Sequence, residues 1–185
     1  GNLDDVKIFE EVRTQKQICK DANGNPDNAK GCSLPSSPRS FSGQVLYISG
    51  DARNSYAELV DQSGSGFTVA ASGITFVPGK VRQALKMDGS QSYLQVANNA
   101  KLNPATDISI EAWIYVDSYD NCTSNTNNTS NTRCIIATKD GVSTGYRLAL
   151  SNEGLITFTL HATTQYNPAY SLTTTATDKL GLQKW

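Results

Sequence analysis

No apolar run in this chain exceeds a few residues, and nearly every one ends at Gly, Asn, Asp or Pro. QVLYISG, ITFVPG, SYLQV, CIIATK, GYRLALS, GLITFTLHA and YSLTTTA each have the length of a strand and are too short for a self-sufficient helix. In ISIEAWIYV the alternation places Ile108, Ile110, Ala112, Ile114 and Val116 on one face. Ser109, Glu111, Trp113 and Tyr115 fall on the other, so both faces of that strand are expected to be partly covered. A succession of such strands with little helix must close into a sandwich or a barrel. Composition agrees: Ser, Thr and Asn make up 52 of the 185 residues, and Thr suits half-exposed strands while Asn and Ser suit turns.

The charges nearly cancel, with 16 Lys and Arg against 17 Asp and Glu. No stretch concentrates the basic residues, which argues against nucleic acid as a partner. The longest apolar runs fall far short of the ~20 residues needed to cross a bilayer, so membrane insertion is not expected. No charged-then-apolar leader stands at Gly1, and any signal peptide is expected elsewhere.

The cysteines form two local pairs in sequence, Cys19 with Cys32 and Cys122 with Cys134. Neither pair has CxxC spacing or a neighbouring histidine, so disulfides are expected rather than zinc, and with them an extracellular or cell-surface location. Four cysteines allow three connectivities; the two local bridges are preferred because each closes a short polar loop. The second loop, SYDNCTSNTNNTSNTRC, is too polar to bury and carries N-x-S/T sequons at Asn121, Asn127 and Asn128, making it the expected place of glycan attachment.

Three segments follow from this reading. Residues 1–20 hold a strand, GNLDDVKIF, followed by a polar turn or short helix. Residues 21–44 contain three of the six prolines and no periodic apolar pattern, as a linker does. Residues 45–185 carry the strand series.

Within that last segment, FVPGKVRQALKMDGSQSYLQV, then LNPATDISIEAWIYVDS, then GYRLALSNEGLITFTL stand in an order and spacing that carry a G-K-x-x-x-A-L-x-x-D-G piece and an S-I-E-A-W-I piece. The pattern resembles the LamG-like jelly roll of the concanavalin A-like lectin/glucanase superfamily, related to laminin G and pentraxin modules. GNLDDVKIFEEVRTQKQI resembles the strand that closes such modules, which comes last in the family and first here. The resemblance thus implies an all-β, antiparallel jelly-roll sandwich over 45–185 that lacks its last strands. Residues 1–20 then belong to a preceding module, fold back beside Val45–Ile48 of the same chain, or insert as a donor strand into a neighbouring copy.

Catalysis on this fold resembles an E-x-D-x-E or E-x-D-x-x-E strand, and none occurs here. The glutamates Glu10, Glu11, Glu58, Glu111 and Glu153 are scattered, and His161 has no sequence partner. The resemblance implies calcium as a possible cofactor, with Asp88 and Asp4 or Asp5 as ligands, against the plainer reading that Asp88 only shapes its Asp-Gly turn. Tyr119, Tyr166 and Tyr170 lie in loop-like segments where they would serve as platforms for a glycan. The expected function is a non-enzymatic extracellular structural or adhesion module, in a tandem surface protein or a filament assembled by strand complementation, with neighbouring copies or modules as partners. A carbohydrate-binding module is the alternative and a glycoside hydrolase a remote one.

Overall fold

The computed structural model describes residues 1–21, 25–27, 31–33, 43–54, 57–104, 106–120, 122, 134–139, 145–164 and 167–185. The side chains of residues 15, 21, 25–27, 31–33, 161–164 and 167–170 lie outside the description. The fold is all-β with antiparallel strand pairing, as the short apolar runs require. The chain divides into two compact units: Asn2–Ile114, and Gly1 with Tyr115–Trp185.

The first unit is organised around β1 (Asn2–Phe9). β1 lies antiparallel to β4 (Gln44–Ile48), with Val6 opposite Ile48, Lys7 opposite Tyr47 and Ile8 opposite Leu46. Its start pairs with β7 (Gln83–Lys86), Asn2 facing Lys86 and Leu3 facing Leu85, and β7 in turn pairs with β6 (Thr75–Pro78). β9 (Ser109–Tyr115) also pairs with β1, and at its start the Ser109 hydroxyl donates to the Glu11 carbonyl at 2.6 Å. Of the three placements open to the N-terminal strand, the structure thus has residues 2–9 beside β4 of their own chain. All six residues from Asp4 to Phe9 are buried, so β1 is covered on both faces, as an interior strand is. β5 (Val69–Ser72) and β8 (Tyr93–Val96) form a separate two-stranded ribbon.

Between β1 and β4 the chain forms α1 (Gln15–Asp21) and a hairpin of β2 (Asn25–Asp27) with β3 (Gly31–Ser33). α1 starts where the sequence offers a reciprocal cap: the Gln17 amide donates to the Thr14 hydroxyl, and the Thr14 amide donates to Gln17 Oε1 at 2.9 Å. Residues 10–18, read as a polar turn or short helix, run into α1 at Gln15. The hairpin lies within the segment 21–44 read as a linker, since backbone pairing needs no apolar periodicity.

In the second unit, β10 (Cys134–Lys139), β11 (Gly145–Leu150), β12 (Ile156–Thr164) and β13 (Asn167–Thr173) form a four-stranded meander. Register puts Leu148, Phe158 and Leu172 in one cross-strand row and Ala149, Thr157 and Thr173 in another, the two threonine hydroxyls lying 3.1 Å apart. The C-terminal segment returns to this unit: the Gln183 amide donates to the Val116 carbonyl at 2.8 Å, and the Trp185 ring lies 5.5 Å from that of Tyr115. No helix among the described residues is long and apolar enough to cross a membrane.

Phe9 is fully buried at the end of β1, and its removal leaves a cavity where β1 and β4 meet. Phe9→Ala is expected to lower unfolding stability by about 3–5 kcal/mol, read from chemical denaturation; a change below about 1 kcal/mol would show that β1 is not held as described.

A buried carboxylate cluster as the candidate functional site

The consecutive aspartates of β1 are both interior, as the covering of both faces of the strand allows: Asp4 and Asp5 are 1 % and 5 % exposed. Asp5 adopts a left-handed backbone conformation, φ 48°, which Asp tolerates better than most residues.

Asp4 is held against the β6–β7 turn. Its Oδ2 accepts from the Val81 amide at 3.1 Å. That turn is closed by the Gly79 amide donating to the Arg82 carbonyl at 2.8 Å. Gly79 has no room for a side chain, since a Cβ there would lie 2.7 Å from Asp4 Oδ2 and 2.8 Å from the Ala84 nitrogen. Two residues further on, Ala84 and Leu85 are completely buried. The P-G-K and A-L pieces of the sequence pattern are thus physically joined to the N-terminal D-D: glycine allows the turn to approach the carboxylate, and alanine and leucine fill the core behind it.

Asp5 faces β4. Its Oδ1 accepts from the Tyr47 hydroxyl at 3.0 Å, and Lys7, 3 % exposed, places its ammonium 5.1 Å from the Tyr47 ring centre. Asp51, just past β4, completes the group. Its Oδ1 accepts from the Gln83 amide at 3.1 Å, and its own amide donates to Ser49 Oγ at 3.2 Å. Gly50 beside it abuts the chain, a Cβ there meeting the Gln83 carbonyl oxygen at 2.4 Å.

Burial dominates the electrostatics. It pushes the Asp4 carboxyl up to about 7, with the Val81 amide opposing the shift and the charges of Asp5 and Asp51 adding to it. Burial also raises Asp5, while Lys7 and the Tyr47 hydroxyl hold it down, and burial and the neighbouring Asp5 raise Tyr47. Among the described residues, Asp4 Oδ1 and Asp51 Oδ2 are both buried without a hydrogen-bond partner.

Asp88 stands apart from this cluster. Its Oδ1 accepts from the amides of Ser90, Gln91 and Ser92 at 2.8–3.0 Å in the β7–β8 loop, and these bonds hold its carboxyl well below the usual range. Ser92 Oγ then donates to the Gly73 carbonyl at 2.7 Å, tying that loop to the end of β5. Asp88 therefore shapes its turn. Among the described residues, no group of three or more His, Cys, Asp or Glu side chains is arranged to hold a metal ion. Asp88 is engaged by its own turn, and Asp5 by Tyr47 and Lys7.

The other expected residues lie elsewhere. Tyr119 is half-buried and its hydroxyl donates to the Leu180 carbonyl, its ring against Gly154, whose φ is 80°. Cys122 and Cys134 form a disulfide with Cα atoms 4.9 Å apart. Cys19 is buried and disulfide-bonded. The Cys32 and Tyr170 side chains, Tyr166, and the sequon residues Asn121, Asn127 and Asn128 fall outside the described residues.

Lys7, Tyr47 and Asp51 were not singled out from sequence. The available signal was the D-D-x-K spacing in the N-terminal strand and an aspartate directly after Ile48-Ser49-Gly50. Comparison with protein-family models, with curated proteins and with solved structures gives no match for this chain.

An acid with its proton affinity moved to neutrality is useful in catalysis only where a substrate reaches it. Here the carboxylates lie inside the sheet, and what they act on is β1 itself. Because the folded pKa of Asp4 is above its unfolded value, the folded chain binds more protons between these limits, and stability falls as pH rises from about 4 to about 7. Asp5 acts in the same direction. Thermal unfolding followed by circular dichroism is expected to show a melting temperature that declines across this window and flattens in Asp4→Asn; an unchanged slope in that variant would remove Asp4 as the source.

Two substitutions test the geometry. Gly79→Ala forces the turn off Asp4 and is expected to cost more than about 2 kcal/mol, and Tyr47→Phe, which leaves Asp5 without its hydroxyl donor, about 1–3 kcal/mol. Both are read from denaturation midpoints at pH 7.5.

Proposed function

We propose that this chain is a non-enzymatic extracellular structural or adhesion module of the LamG-like jelly-roll class, working in a tandem array or filament with neighbouring copies or modules. One observation carries the reading: the perturbed acids, Asp4 and Asp5, are sealed inside the sheet and hold a strand in place rather than lining a cleft. The class is supported by the way D-D, P-G-K and A-L converge on one another, since those are the pieces on which the family resemblance rests. An oxidising compartment is supported by the Cys122–Cys134 bridge and by the bonded state of Cys19.

The experiment is homotypic clustering. Beads bearing the full chain are expected to aggregate with one another and to release no reducing sugar from generic β-glucans. Clustering abolished by a soluble glycan would replace this reading with the carbohydrate-binding one. Sugar release above the blank, or beads that stay dispersed, would overturn it.

A further inference from the structure

Three strands converge on β1, namely β4, β7 and β9, and none of them is its neighbour in sequence. Its covalent tie to the strands that receive it runs through residues 10–43, a connection on the order of 100 Å long when extended. Yet Phe9 lies directly opposite Gln44, a closure for which two to five residues suffice. Within this connection α1 is capped by its own Thr14 and Gln17, and β2 pairs with β3. The docked segment ends where Ser109 Oγ accepts from the Arg13 amide at 3.1 Å and donates to the Glu11 carbonyl.

The strand's chemistry is unusual for an interior position. Asp4, Asp5 and Lys7 are buried together with Val6, Ile8 and Phe9, and Glu10 and Glu11 follow. Such a segment is soluble when released, because its charges return to water, and it is specific when docked. Asp4 must meet the Val81 amide and Asp5 the Tyr47 hydroxyl, and a one-residue slip would turn the carboxylates away from both. Docking is also incompletely satisfied, since among the described residues Asn2 Oδ1, Asp4 Oδ1 and both amide atoms of Gln44 are buried without partners. Each such group subtracts from the net gain of burial. The receiving strands have the opposite character: with β1 absent, β4, β7 and β9 expose backbone groups that only another strand satisfies.

We infer that β1 is an exchangeable strand, and that the partner in the proposed assembly is a second copy of this chain, whose residues 1–13 dock between β4, β7 and β9 in the register used within one chain. This rests on the structural-module reading and names its partner and contact. The same contacts form in cis and in trans, so the balance follows concentration. The intramolecular arm competes at an effective concentration on the order of mM, so dilute chains are closed monomers and closely spaced copies exchange.

The test uses the intact chain and a fluorescent peptide of residues 1–13. After prolonged incubation with excess peptide, incorporation of one peptide per chain is expected by size exclusion, with at least tenfold less for the same peptide carrying Phe9→Asp. Incorporation no greater than that of a scrambled peptide, or equal for the Phe9→Asp peptide, overturns the inference. A second arm ties β1 down with Ile8→Cys and Leu46→Cys, which face each other in the register. If wild-type beads cluster and the tied chain clusters equally, exchange fails while the module reading stands. If wild-type beads cluster and the tied chain does not, exchange is supported. If the peptide incorporates specifically but wild-type beads stay dispersed, exchange stands and the module reading fails.

Discussion

Burial of β1 between β4, β7 and β9 is the constraint on which the first unit depends. A strand at an edge tolerates charged residues on its open face; an interior strand does not, and Asp4, Asp5 and Lys7 are interior. Each must therefore find a partner in the surrounding chain, and the architecture around β1 is largely the set of answers. The β6–β7 turn offers the Val81 amide, β4 offers the Tyr47 hydroxyl, and Gly79 is bare so that the turn can come close enough. Because both faces of β1 are covered, two consecutive carboxylates are interior.

The proton affinity of Asp4 follows from this placement. A carboxyl inside a sheet, near two more carboxylates and with one oxygen unsatisfied, holds its proton to neutral pH. In an open cleft the same group would be a candidate general acid. Enclosed, it makes the hold on β1 sensitive to pH between about 4 and about 7. Function and stability are thus read from the same atoms, and access separates the two interpretations.

The recognisable pieces of the sequence acquire distinct physical roles. Gly79 sets a distance, Ala84 and Leu85 fill space, and Asp88 organises a loop by accepting three amides. These pieces are here a set of packing requirements.

From the sequence alone the all-β class, the Cys122–Cys134 bridge and the turn-forming role open to Asp88 were legible, because each depends on local chemistry: alternation, loop closure, an Asp-Gly turn. The partners of β1 were not legible, since residues 2–9 meet β4, β7 and β9 across most of the first unit and nothing in their order says which strands receive them. Nor was the cluster of Asp4, Asp5, Asp51, Lys7 and Tyr47, which exists only once three distant strands and two tight glycine approaches bring it together. Sequence determined that strands would form and where they would end; tertiary structure decided which strand is central, because a central position is a relation among strands and not a property of any one of them.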